Sequence, residues 1–230
     1  MIYAIADLHF DFSKEKPMDV FGDNWKDHDK KIISDWKEKV RDDDLVLLPG
    51  DISWALKLKD AVDDLNVIDS LPGKKIISKG NHDYWWSSLN KMNNLGFKTI
   101  KFLYNNTYEY EDISICGCRG WISKDSLEFT QEDEKIYNRE VNRLKISLEQ
   151  AKNKKIIALI HYPPFNQDHS ASDFTNLLTD YNVKLCLYGH LHGQGHKYRY
   201  EGELDNVSYK FIASDFLDFK LERIRSWKEK

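Results

Sequence analysis

Aspartate, asparagine and histidine recur in this sequence in short clusters, each directly after an apolar run. Asp7-Leu8-His9 follows Ile2 to Ala6, Gly50-Asp51 follows Leu45 to Leu48, and Gly80-Asn81-His82-Asp83 follows Lys75 to Ser78. His161 follows Ile156 to Ile160, and Gly189-His190-Leu191-His192 follows Lys184 to Tyr188. Carboxylate, amide oxygen and imidazole are donors that suit divalent ions such as manganese, iron or zinc. A thiolate-rich structural zinc site is disfavoured, because Cys116, Cys118 and Cys186 form no C-x-x-C pair. The candidate ligands are Asp7, His9, Asp51, Asn81, His161, His190 and His192.

Donors that follow five separate strands meet at one place if the strands lie in open α/β sheets, where functional sites gather at the carboxyl ends. Within Asp7-Leu8-His9, alternation sends Asp7 and His9 to the same side if the backbone stays extended, and His190-Leu191-His192 repeats the pattern. Gly50, Gly80, Gly189 and Gly193 would let the backbone turn tightly and approach the ions or a substrate. Ordinary turn punctuation is their other reading.

The elements that must position these groups are an alternation of short apolar runs and helical stripes, which points to an α/β fold. Further strands are expected at Thr99 to Leu103, Ile113 to Cys118, near Val207 to Ala213 and at Leu217 to Glu222. Ile32, Ile33, Trp36 and Val40 share one helical face, and Leu58, Ala61, Val62, Leu65 and Ile68 share another. A third helix is expected from about Glu134 to Lys152, and a fourth from Tyr84 to Leu95, with Asp83 either its N-cap or a group that orients His82. No repeat or linker interrupts the 230 residues, so one domain spanning 1–230 is expected.

These blocks resemble the calcineurin-like metallophosphoesterase family, whose pattern reads here as Asp7-x-His9, Gly50-Asp51, Gly80-Asn81-His82-Asp83, His161 and Gly189-His190-x-His192. The resemblance runs from position 7 to 192, and Pro163-Pro164 after His161 adds to it. It implies a two-layered β core flanked by helices, and two divalent metal ions bridged by Asp51. By matching motif positions, the first ion would take Asp7, His9 and His192, and the second Asn81, His161 and His190. His82 would act as general acid or stabilise the transition state. Two ions about 3.5–4 Å apart share a hydroxide and orient a phosphoryl oxygen for in-line attack. After Asp51 this chain reads Ile52-Ser53-Trp54, without the acidic residue and arginine of the protein Ser/Thr phosphatase branch.

Around this core the readings are looser. Arg119 is a candidate phosphate clamp, with a surface ion pair as the competing reading. His28 and His169 read as surface residues, and His196 is either near the site or solvated. The irregular stretch from Phe10 to Lys26 either overhangs the ions or plugs the core edge with Phe12, Phe21 and Trp25. A net charge of −4, with lysines scattered among acids, favours a small phosphate ester and no nucleic-acid partner. A nuclease is the alternative enzyme, and a protein-interaction scaffold the non-catalytic one. Unpaired cysteines and the lack of a signal-like or membrane-spanning run point to a cytoplasmic protein without a membrane partner.

Overall fold

The computed structural model describes residues 1–12, 16 and 18–224. Two mixed sheets form its centre. The first comprises β1 (Ile2–Ala4), β2 (Leu45–Pro49), β3 (Lys74–Ser78) and β4 (Ile100–Leu103), all parallel, with β11 (Glu222–Ile224) antiparallel on the β1 edge. The second runs β5 (Tyr108–Tyr110), β6 (Ile113–Cys118), β7 (Lys155–Ile160), β8 (Leu185–Tyr188), β10 (Val207–Phe211) and β9 (Gly202–Leu204). Its four inner strands are parallel and its two edges antiparallel.

Near-continuous apolar runs make strands buried on both faces, and the period of two decides which face each residue serves. In β2, Leu45 and Leu47 join a cluster with Ile115, Ile157, Leu159 and Leu187 between the sheets, whereas Val46 and Leu48 pack outward. On the outer face of the first sheet lie α1 (His28–Lys39) and α2 (Leu58–Ser70), which contribute Ile32, Trp36, Ala61, Leu65 and Ile68. On the second lie α4 (Gln131–Glu149) and α5 (Asp173–Asp180), which contribute Tyr137, Leu144, Leu148, Phe174 and Leu178. The expected two-layered β core flanked by helices is therefore what the chain forms.

Several boundaries differ, each for a local reason. Helix α4 starts at Gln131 rather than Glu134, because Thr130 and Asp133 exchange side-chain and backbone hydrogen bonds in a capping box. The helix expected over Tyr84 to Leu95 shrinks to α3 (Leu89–Asn93), capped by Ser88, because the Asp83 carboxylate is drawn into the core. The strand expected at Leu217 to Glu222 is a turn through Phe219 and becomes strand only at Glu222: Asp218 (φ 53°) and Phe219 (φ 57°) adopt left-handed backbone, which places the Phe219 ring in the core. No described helix is long and apolar enough to cross a membrane.

Candidate metal centre

Backbone hydrogen bonds continue past the strand ends and draw the donor-bearing loops together. Asp7 N donates to Gly50 O (3.0 Å), His9 N to Asp51 O (3.0 Å), and Gly189 N to His161 O (3.1 Å). Ala6 and Ala213 form a parallel bridge that joins the end of β1 to the end of β10, and so one sheet to the other. Close approach explains two glycines. A Cβ at Gly80 would overlap the Asp51 carboxylate, and one at Gly189 would overlap the carboxylate of Asp7.

The expected alternation does not hold. Asp7 (φ 59°), His9 (φ 47°), Asp51 (φ 52°) and His190 (φ 76°) all take left-handed backbone, an uncommon state for residues with a Cβ. His192 is extended (φ −124°), so His190 and His192 diverge instead of pointing together. His192 Nε2 lies 3.4 Å from His9 Nε2 and 3.7 Å from Asp7 Oδ1. His190 Nδ1 lies 2.8 Å from Asn81 Oδ1, which is also 2.7 Å from His161 Nε2.

Two donor sets result, one of Asp7, His9 and His192 and one of Asn81, His161 and His190. Asp51 stands between them: its Oδ2 is 3.8 Å from His9 Nε2 and 3.3 Å from His161 Nε2. The seven candidate ligands thus meet in one place. Groups of them could hold a cation, since the ligand atoms of Asp7, His9 and His192 lie within 4.8 Å of one another, as do those of Asp7, Asp51 and His161.

The tautomers fit such a role. His161 Nδ1 is 3.0 Å from Pro49 O, and His192 Nδ1 is 2.9 Å from Asp215 Oδ1. A ring that donates through Nδ1 presents the Nε2 lone pair inward. Burial drives His9 well below its ordinary value and His190 down to about 3, so both rings stay neutral. Burial pushes the Asp7 carboxyl up to about 6. Burial also acts to raise Asp51, but His161 outweighs it and holds that carboxyl below the usual range. His161 in turn is raised to about 9 by Asp51 against its own burial. A cation bound beside His161 would therefore have to displace the proton from Nε2 before that lone pair becomes available.

His82 approaches from one side. Its backbone N–H donates to Asp51 Oδ1 (2.8 Å), its ring stands 4.6 Å from the Trp54 ring, and its Nδ1 has no partner among the described residues. Burial pushes its imidazole below the ordinary value. Of the Phe10 to Lys26 stretch, residues 13–15 and 17 lie outside the described residues. Trp25 belongs to the core and meets His9 and His192 edge-on at 5.8 and 5.5 Å, Phe12 packs partly buried against that core, and Phe21, expected to plug it, is 66% exposed beside Trp54. Both readings of that segment therefore contain part of the arrangement.

Three groups near the centre escape sequence reasoning. Asp83, expected as an N-cap, is fully buried and accepts the backbone N–H groups of Asp51, Ile52, Ser53 and Gly80. His28, expected at the surface, is buried with Nε2 3.2 Å from His9 O and Nδ1 3.2 Å from Trp25 O. Asp215 contacts His192 and also takes the Gly193 N–H (3.0 Å), with His196 Nε2 at 3.1 Å. One signal for Asp215 is visible in hindsight, since it too follows a strand end.

His169 is half-buried, its Nε2 2.9 Å from Tyr198 O, rather than free at the surface. Arg119 pairs with buried Glu140 (3.3 Å) and lies over the Trp121 ring, while its carbonyl accepts the His161 N–H (3.1 Å). The ion pair is largely buried rather than at the surface, and the Arg119 Nε has no hydrogen-bond partner among the described residues.

Over residues 1–194 the chain matches the calcineurin-like phosphoesterase family. Among solved structures it is similar to a protein of Thermus thermophilus, at 14% identity over 96% of each chain with a TM-score of 0.59. Phosphopantetheinyl hydrolase from Mycobacterium tuberculosis is 14% identical over 92% of this chain and 88% of that one, with a TM-score of 0.58. A protein of unknown function from Aquifex aeolicus is 17% identical over 96% and 94%, with a TM-score of 0.51. At such identities the likeness is one of fold. No curated protein matches the chain.

Proposed function

The chain belongs to the calcineurin-like phosphoesterase family, and from that premise we propose that it hydrolyses a small phosphate ester with two divalent ions held at this centre. The observation that carries the reading is the position of Asp51 Oδ2 between the His9 and His161 imidazoles. One carboxylate facing two donor sets is suited to bridge two cations. Manganese, iron and zinc fit the oxygen and nitrogen donors, and the three cysteines are buried elsewhere with thiols that burial pushes up.

When bound, the ions would acidify a water and offset phosphoryl charge. The remaining work falls to the chain. Asp7, His9 and His192 hold one side of the centre, Asn81, His161 and His190 the other, and Asp83 fixes the loops that carry Asp51 and Asn81. His82, tied to Asp51 through its backbone, is placed to give the leaving oxygen its proton. Trp54, stacked on His9 at 4.8 Å, and Trp25 limit water on the first side. The acidic net charge of −4 favours a small ester over a nucleic-acid polymer.

Purified protein reconstituted with manganese, iron or zinc is to be assayed on paired aryl phosphate monoester and diester substrates, then on nucleotides, sugar phosphates, lipid phosphates and oligonucleotides. Small esters are expected to turn over with mild salt dependence and oligonucleotides negligibly. Oligonucleotide cleavage faster than any small ester, abolished in Asp51→Asn, establishes a nuclease instead. Metal binding without turnover of any substrate establishes a scaffold.

A further inference from the structure

Beside the second donor set lies a cavity of about 530 Å³, within the range of small-molecule sites. His190 belongs to both, and Tyr162, the residue after His161, packs its ring on His190 at 4.0 Å. Anything that fills this cavity therefore sits against the centre.

Four aromatic rings, Trp121, Tyr162, Phe165 and Tyr198, supply most of its apolar wall, with Ser123, Ser126, Asn166, Gln167 and His169 as polar members of the lining. Phe165 is 4% exposed and held by Tyr200 and Tyr209 at 4.9 and 4.6 Å, so this part of the wall is fixed before any ligand arrives. The Trp121 indole N–H is already spent on Asp133 (2.9 Å) and Arg119 lies over one face of the ring at 4.3 Å, which fixes the ring and leaves its other face as the contact it can offer. Tyr198, at 61% exposed, is a large ring left open. Rigid, preformed aromatic surface favours flat apolar groups at low ordering cost.

Charge narrows the occupant further. The cavity lining includes no lysine or arginine, and its one carboxylate is Glu128. Nearby cations are paired: Arg119, behind the Trp121 ring, with Glu140, and Lys124 with Asp173 (2.7 Å). A second phosphate or a carboxylate on the substrate would meet no lysine or arginine of the lining to offset its lost hydration.

We infer that this cavity receives the non-phosphate part of the substrate, and that this part is an uncharged aromatic group linked to a single phosphoryl group. The inference rests on the hydrolase reading above for the location of the phosphoryl end, and extends it to the substrate class. Trp121 and Tyr198 then act as specificity determinants, through binding of the remote ring rather than through the bond broken.

The test uses esters whose leaving alkoxides are alike, so that intrinsic reactivity cancels. These are 3-phenylpropyl phosphate, propyl phosphate and propane-1,3-diyl bisphosphate, with 3-phenylpropyl phosphonate as a non-hydrolysable probe for calorimetry. Metal-loaded protein should show a kcat/KM for the phenyl ester roughly tenfold or more above that for the propyl ester, as burying a phenyl group predicts. The bisphosphate should be the poorest of the three. In Trp121→Ala and in the rim variant Tyr198→Ala that ratio should fall toward one, mainly through KM, and phosphonate binding should weaken.

Equal kcat/KM for phenyl and propyl esters, or preference for the bisphosphate, overturns the inference while leaving the hydrolase reading intact. Phosphonate binding that needs Trp121 and Tyr198, with no ester hydrolysed, upholds the cavity and overturns the hydrolase reading.

Discussion

The Asp83 carboxylate holds the backbone of Asp51, with Oδ2 accepting the Asp51 N–H at 2.9 Å from 32 residues away in sequence. The same oxygen takes the Gly80 N–H at 2.8 Å, so one atom ties together the loops that end β2 and β3. Oδ1 takes the N–H of Ile52 at 2.9 Å and the indole N–H of Trp85 at 3.0 Å.

Replacing Asp83 should therefore damage both stability and the centre. Asp83→Ala strands several buried N–H donors, each costing about 1–3 kcal/mol, so a total loss of roughly 3 kcal/mol or more is expected. Asp83→Asn turns one oxygen into a donor facing other donors and should cost about half as much. Urea denaturation measures the first effect and elemental analysis the second. Both variants retaining wild-type stability and metal content is the result that contradicts this role.

Asp51 and His82 should separate metal binding from turnover. Asp51 faces both donor sets, whereas the His82 side chain joins neither set. Asp51→Asn is expected to lose metal and activity together. His82→Ala should retain most metal while kcat falls about 10²–10⁴-fold, the usual worth of a positioned proton donor. Equal metal loss in both variants removes the distinction.

How much of this is legible in the sequence follows from what each residue's neighbours are. Asp7, Asp51, Asn81 and His161 stand out because a donor after an apolar run signals a strand end, and strand ends converge. Local pattern is silent on partners. Nothing adjacent to Asp83 distinguishes a helix cap from a clamp on a distant loop, and His28 looks solvated until Trp25 and Phe219 fold over it at 5.3 and 6.1 Å. Alternation misreads His190 and His192 because a left-handed residue resets the direction of the chain, and hydrophobic pattern does not record φ. The same lapse turns Leu217 to Phe219 from an expected strand into a turn.

Asp215 should act by orienting His192. Its carboxylate is spread over His192 Nδ1, the Gly193 N–H and His196 Nε2. Partners of this kind typically contribute 10–100-fold to metal affinity. Asp215→Ala is expected to weaken binding of the first ion by about that factor, and His196→Ala by less, because His196 touches the ion's ligand only through Asp215. Equilibrium metal titration of the two variants gives the ranking. A stronger effect at His196 assigns the orienting role wrongly.

A buried charge stands at the opposite end of β3, away from the centre. Lys75 is buried, and its ammonium donates to Leu71 O near the end of α2 and to Thr99 Oγ1 (3.0 Å). Burial lowers its pKa from 10.5 to about 8, only partly opposed by Asp69. Below about pH 8 both folded and unfolded chains carry the proton, and the folded state bears the full cost of burying it. Between about 8 and 10.5 the unfolded chain binds more protons than the folded one, so this residue's contribution to stability rises with pH. Lys75→Met keeps much of the stem and removes the titration. The urea midpoint of the wild type relative to Lys75→Met should therefore climb between pH 7.5 and 9.5 and stay flat between pH 6 and 7. Parallel midpoints across the whole range would show that Lys75 keeps its ordinary affinity for the proton when folded.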